Sequence, residues 1–129
     1  FPNILGICLG MHIMQNDSKE SQSGSKKGWK MFNNSVKSLS SLGCQRSVHT
    51  GWNFVKFVDE NISYLDGYYY FSHSYAIKWS GDKQQKAYYV IDGKKFVAVI
   101  QNEKKIGVQF HPELSGKIGG QFVLKILGI

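Results

Sequence analysis

The sequence predicts an α/β domain with a mixed central sheet, and three observations carry that reading. The run "NILGICLG" at residues 3–10 is a short apolar strand that turns sharply at glycine, and "LGMHIMQN" at 9–16 has the helix formers to continue as a helix. From about Val36 onward, short β-rich runs alternate with turn residues. The closing segment "IGGQFVLKILGI" at 118–129 has the spacing of a short amphipathic helix.

Each element follows from local chemistry. "NDSKESQSGSKKGWK" (16–30) is polar and rich in Gly and Ser, so it predicts a surface loop. The runs "GWNFVKFVD", "YYYFSHSYAI", "KAYYVIDGKKFVAVIQN" and "KKIGVQFHPE" predict successive strands, with "DGKK" and "NEKK" as hairpin turns. A buried strand that feeds a helix belongs to parallel pairing, whose neighbours arrive through crossovers. Those neighbours are not all among these residues, so the sheet is expected to be incomplete at its N-terminal side.

Composition narrows the function classes. The chain has 129 residues, 42% of them apolar and 14% aromatic, enough for one packed domain spanning residues 1–129. No apolar run is long enough for a membrane span and no leader pattern opens the sequence, so no membrane partner and a cytoplasmic location are expected. Sixteen basic against 9 acidic side chains give a net charge of +7. The lysines fall in short pairs beside turn residues rather than on one helix face, which argues against nucleic acid as a partner. Two cysteines, Cys8 and Cys44, are too few for a disulfide framework. His12, His49, His73 and His111 lack the short-range spacing of metal ligands, so neither metal nor cofactor is expected. Trp29, Trp52 and the run Tyr68 to Phe71 read as core and interface packing, and Cys44 as an ordinary thiol.

Gly6-Ile7-Cys8-Leu9-Gly10 has the G-x-C-x-G form of a nucleophile elbow, the cysteine version of G-x-S-x-G. In such a turn the glycines leave room on either side of a strained nucleophile. The following helix N-terminus favours thiolate, and the Leu9 N–H is placed to donate to an oxyanion. A nucleophilic thiol needs a base, and "GVQFHPELS" (107–115) supplies His111. Pro112 biases His111 to an extended backbone, in which Glu113 faces the same side and orients the imidazole. The candidate triad is Cys8, His111 and Glu113.

The pair "GICLGM" and "GVQFHPE" resembles the class I, triad-type glutamine amidotransferases. "TGWNFV" (50–55) and "YYYFSHSY" (68–75) further resemble motifs of the glutaminase subunits of imidazole glycerol phosphate synthase within that family. The resemblance covers nearly the whole chain and implies a flavodoxin-like three-layer fold, of which residues 1–129 form the C-terminal portion. It implies that Cys8 is the nucleophile, His111 the base and then acid, Glu113 its orienting group and Leu9 an oxyanion donor. It places Gly10, His12, Glu20 and the Ser74-Tyr75 backbone at the glutamine substrate. The implied function is hydrolysis of glutamine to glutamate through a thioester, with ammonia channelled to a (β/α)8-barrel cyclase or cyclase-like subunit in a heterodimer. The alternatives are a paralogue supplying ammonia for amidino-sugar synthesis in surface polysaccharides, a degenerate partner-binding domain, or a cysteine peptidase of the same fold. The sequence departs from the family at His12, where glutamine is usual, and in the loop after the elbow. The family's first strands and its oxyanion loop lie upstream of the elbow.

Overall fold

The computed structural model describes residues 4–15, 17–18 and 26–128. Its main element is a six-stranded mixed sheet in the order β1-β10-β9-β8-β5-β6. These strands are β1 (Ile4–Ile7), β5 (His49–Phe57), β6 (Gly67–His73), β8 (Gln85–Ile91), β9 (Lys94–Asn102) and β10 (Lys105–Val108). β1 pairs in parallel with β10, and every other neighbouring pair is antiparallel. The α/β class and mixed sheet expected from the sequence are thus observed.

Periodicity in each strand tells which faces are covered. β9 buries five consecutive residues, Phe96 to Ile100, as a strand covered on both faces must. In β6 only alternate residues, Tyr69, Phe71 and His73, are buried. One cluster packs Tyr69, Phe71, Tyr89, Phe96 and Phe110 with α2 (Gly116–Ile126) through Phe122. The other packs Met11 and Met14, from α1 (Leu9–Ile13) and its end, against Val97 and Ile100. The terminal amphipathic segment is therefore a helix as expected, whereas α1 is only five residues long.

The hairpin turns fall where the sequence places them. Asp92 and Gly93 have φ of 52° and 75°, the two left-handed residues of a tight β8–β9 turn, and Glu103 takes φ 55° between β9 and β10. β5 and β6 are joined differently, by a 3-10 stretch, Glu60–Leu65, which the sequence does not announce. The Asp59 side chain caps its Asn61 N–H at 2.9 Å. Behind it, Asp66 accepts from Lys56 Nζ at 2.7 Å and from the Phe57 N–H at 2.8 Å.

A second, smaller sheet has the order β3-β2-β4-β7, from β2 (Asp17–Ser18), β3 (Lys26–Lys27), β4 (Ser35–Ser38) and β7 (Tyr75–Ala76). Part of the polar segment read as a surface loop is thus paired backbone, because Asp17 aligns with both Lys27 and Ser35. The rest of that segment lies outside the described residues. The aromatic residues also divide. Tyr69 and Phe71 are fully buried, whereas Trp29, Trp52 and Tyr68 are more than half exposed and add nothing to the core.

One core group is poorly served. The Tyr89 hydroxyl is buried without a hydrogen-bond partner among the described residues, and burial raises its pKa well above the ordinary value. Tyr89→Phe removes that desolvated group while keeping the ring, so urea unfolding should show stability unchanged or raised by up to about 1 kcal/mol. A loss of more than about 1 kcal/mol would mean that the hydroxyl has a partner.

Candidate active site

The elbow is built by three local features. Gly6 of β1 lies directly opposite Gly107 of β10, and α1 folds back over both. A Cβ on Gly6 would come within 2.6 Å of the Gly10 carbonyl oxygen and the Met14 sulfur, and one on Gly107 within 2.6 Å of Met11 Cγ. Paired glycines therefore let the helix sit directly on the strands. Cys8, at the corner, has φ 54° and ψ −107°, a conformation costly for a residue with a Cβ. Its N–H donates to the Val108 carbonyl at 2.7 Å, which fastens the corner to β10.

The two elbow glycines are not equivalent. Crowding by the chain explains Gly6, but a Cβ on Gly10 would meet nothing within 4 Å among the described residues. Gly10 is therefore required neither for the turn nor for helix packing, contrary to the symmetrical reading of G-x-C-x-G.

The sheet curls until its edges approach each other, and the site forms where they meet. β1 and β6 are opposite edge strands, yet the Cys8 Sγ donates to the Ser72 carbonyl of β6 at 3.5 Å. Two residues earlier on β6, the Tyr70 carbonyl accepts the His111 N–H at 2.8 Å. The Tyr70 N–H donates to Ser115 Oγ at 2.9 Å, and that hydroxyl donates to the His111 carbonyl at 2.6 Å. The free edge of β6 thus anchors the backbone of His111 about 7 Å along the strand from the thiol's anchor.

His111 Nδ1 lies 2.9 Å from Glu113 Oε2. A carboxylate only accepts, so Nδ1 carries the proton and Nε2 is the nitrogen left to exchange one. The cause differs from the expected extended segment. His111 is extended (φ −101°, ψ 97°), but Pro112 opens a 3-10 turn, Pro112–Leu114, that swings Glu113 back toward the ring.

A cavity of about 300 Å³ is lined by Cys8, Leu9, His12, Ser72, His73, Ser74 and Tyr75. It gathers five of the sequence-predicted residues: Cys8, Leu9, His12, Ser74 and Tyr75. His111 and Glu113 are joined to each other and lie outside its lining, as does Gly10. Glu20 lies outside the described residues. A larger concavity, about 750 Å³, lies elsewhere, with Asp59, Trp79, Gln101 and Lys125 among its walls, and holds no predicted site residue.

His73, on the cavity wall, and His49 bind each other rather than standing as scattered histidines. Asn53 Nδ2 donates to His49 Nε2 at 3.2 Å, so His49 Nδ1 donates to His73 Nε2 at 2.9 Å and His73 Nδ1 donates to the Tyr75 carbonyl at 2.9 Å. The chain of bonds requires both rings to be neutral. Burial pushes His49 down to about 4 and His73 down to about 3 from an ordinary 6.5. Cys44 is buried among core side chains, and burial pushes its thiol up, with Asp92 adding to the effect, which leaves it inert beside Cys8.

Sequence reasoning overlooked Gly107, Ser72 and Gln109. A glycine inside a strand pattern was a usable signal for Gly107. Ser72 contributes only its carbonyl, which no side-chain pattern reveals. Gln109 is fully buried, with Nε2 3.7 Å from Cys8 Sγ and Oε1 2.8 Å from His12 Nε2.

Cys8 stands at a strand-turn-helix corner at the end of a mixed sheet, the geometry of a nucleophile elbow in an α/β protein. The class I glutamine amidotransferase family model matches residues 2–127, and the chain belongs to that family. It is 32% identical over 97% of its length to the imidazole glycerol phosphate synthase subunit HisH of Pyrobaculum aerophilum, covering 62% of that protein. It is 33% identical over 96% of its length to the HisH subunit of Thermotoga maritima, covering 57%. For the HisH subunit of Pasteurella multocida the identity is 36% over 93%, covering 59%. The chain thus spans about three fifths of the length of these relatives. A crystal structure of a glutamine amidotransferase superposes with a TM-score of 0.63 over 97% of this chain and 60% of the other, at 14% identity, which shows a shared fold.

Two predictions follow from this geometry. Gly6→Ala should lower unfolding stability by about 1–3 kcal/mol, because backbone and helix must move, whereas Gly10→Ala should leave it within about 0.5 kcal/mol. Urea denaturation of the two variants separates them. For the histidine pair, folded pKa values below 6.5 mean that the unfolded chain binds more protons once the pH falls below about 6.5. Their contribution is complete above that pH and drains away as the pH falls through 4 toward 3. The urea midpoint should fall steeply from pH 6.5 to 4, and less steeply in His49→Gln. A midpoint that stays flat over this range would contradict neutral burial.

Proposed function

We propose that this chain is the nucleophile-bearing part of a glutaminase that hydrolyses glutamine to glutamate and hands the ammonia to a partner synthase. The observation that carries the reading is the anchoring of Cys8 and His111 on neighbouring carbonyls of one strand edge, with Glu113 bonded to the imidazole.

Chemically, the Cys8 thiolate attacks the side-chain amide carbon of glutamine, forming a C–S bond. The oxyanion is held by the Leu9 N–H at the start of α1. His111 Nε2, which has taken the proton of the Cys8 thiol, gives it to the leaving nitrogen as the C–N bond breaks, releasing ammonia and a glutamyl thioester. Water, deprotonated by the same nitrogen, then breaks the C–S bond and releases glutamate. Glu113 keeps the ring in the required tautomer. Gly10, His12, Glu20, Ser74 and Tyr75 are the proposed substrate contacts. The open space over Gly10 and the cavity walls at His12, Ser74 and Tyr75 support four of these.

The matched relatives are subunits of imidazole glycerol phosphate synthase, which favours histidine biosynthesis and a barrel-shaped cyclase partner over the sugar-amidination branch. The test is ammonia release from glutamine, with and without a (β/α)8-barrel cyclase subunit. Cys8→Ser should lower release by about 10³-fold or more. Release that survives in the variant would remove Cys8 from the mechanism, and no release from the parent under either condition would defeat the glutaminase reading.

A further inference from the structure

We propose that Gln109 acts on the nucleophile, donating an amide hydrogen to the Cys8 thiolate, and that His12 is the residue that turns its carboxamide the right way round. This rests on the reading of Cys8 as the nucleophile and adds to it a residue for which neither the elbow nor the His-Pro-Glu segment gives any role.

The argument begins with the two unlike ends of a carboxamide. Gln109 follows β10, fixed by its N–H to the Ala98 carbonyl at 2.9 Å, and its side chain is completely buried. One end lies 2.8 Å from His12 Nε2 and the other 3.7 Å from Cys8 Sγ. Oε1 only accepts and Nε2 only donates. Oε1 faces His12 Nε2, which must therefore carry the hydrogen, and the amide N–H faces the sulfur.

His12 is itself 1% exposed and sits one helical turn beyond the nucleophile, its N–H donating to the Cys8 carbonyl at 3.3 Å. Cys8 and His12 therefore lie on one face of the turn, and Gln109 spans them.

The sulfur sits between groups of opposite preference. The Ser72 carbonyl at 3.5 Å accepts from S–H and repels S⁻. The Gln109 amide does the reverse, because a donor to an anionic acceptor is about twice as strong as one to a neutral acceptor. Were the carboxamide reversed, two oxygens would face the sulfur and the thiol would be locked in its protonated form. His12 thus serves as a positioning residue that acts on Cys8 through Gln109, in addition to lining the cavity.

The test is the rate at which iodoacetamide alkylates Cys8 at pH 7, resolved from Cys44 by peptide mass spectrometry. It involves no glutamine, so it reads the thiolate whether or not the chain is a glutaminase. Gln109→Leu should slow Cys8 alkylation about tenfold and His12→Leu about threefold, as expected for losing one charge-assisted bond or only its alignment. His12→Gln, which keeps an N–H facing Oε1, should restore the rate to within about twofold. If Gln109→Leu does not fold, the double variant His12→Leu/Gln109→Leu removes donor and acceptor together and should show the same tenfold loss. Unchanged alkylation in a folded Gln109→Leu or double variant would overturn the proposal. So would a His12→Leu variant whose alkylation is normal and whose only change is a higher KM for glutamine. Absent ammonia release with the predicted alkylation pattern would sink the glutaminase reading and leave the Gln109 contact standing.

Discussion

The contact on which the rest of the site depends is the seating of α1 on two glycines that face each other across a parallel strand pair. Gly6 and Gly107 are in register, and Met11 and Met14 come down where their side chains would have been. This close approach fixes the height of the helix above the sheet and thereby the corner at Cys8. The unfavourable φ of 54° at Cys8 is held by strong local constraints on either side: the Cys8 N–H to Val108 bond at 2.7 Å and the packing of buried Met11 against β10.

Curling of the sheet makes that corner chemically useful. β1 and β6 stand at opposite ends of the strand order, yet Cys8 and His111 both reach the free edge of β6. An open strand edge normally offers its carbonyls to water or to another chain. Here the carbonyls of Tyr70 and Ser72 are occupied by the two halves of the proposed machinery. The buried aromatic side chains inside the curl, Tyr69, Phe71, Tyr89 and Phe110, hold the edge in place from within. The neutral His49–His73 pair ties the same strand end to the Tyr75 carbonyl on the cavity wall.

Much of this was legible in the residues. Gly6 of the elbow, the Asp92-Gly93 turn and the five-residue apolar stretch in β9 each have one dominant local cause, and each appears where the sequence places it. The misses share a different cause. Ser72 contributes a carbonyl, which is chemically the same in every residue, so only tertiary structure singles it out. Gly10 looked like Gly6 in the motif, and only the position of the surrounding chain separates a glycine under contact from one facing open space. Glu113 reaches His111 through a 3-10 turn rather than by strand alternation, since Pro112 favours starting a turn as readily as extending a strand. Gln109 reads as one more polar residue between apolar neighbours until His12 is found on its other side.

The central claim is that this corner presents Cys8, and not Cys44, as a nucleophile toward a glutamine side chain. The most direct measurement is mass spectrometry of the chain after incubation with 6-diazo-5-oxo-L-norleucine, an electrophilic glutamine analogue, with excess glutamine as competitor. The account predicts one adduct, on Cys8, that glutamine suppresses and Glu113→Ala slows. An adduct on Cys44, or one on Cys8 that forms equally fast in the presence of glutamine, would contradict it.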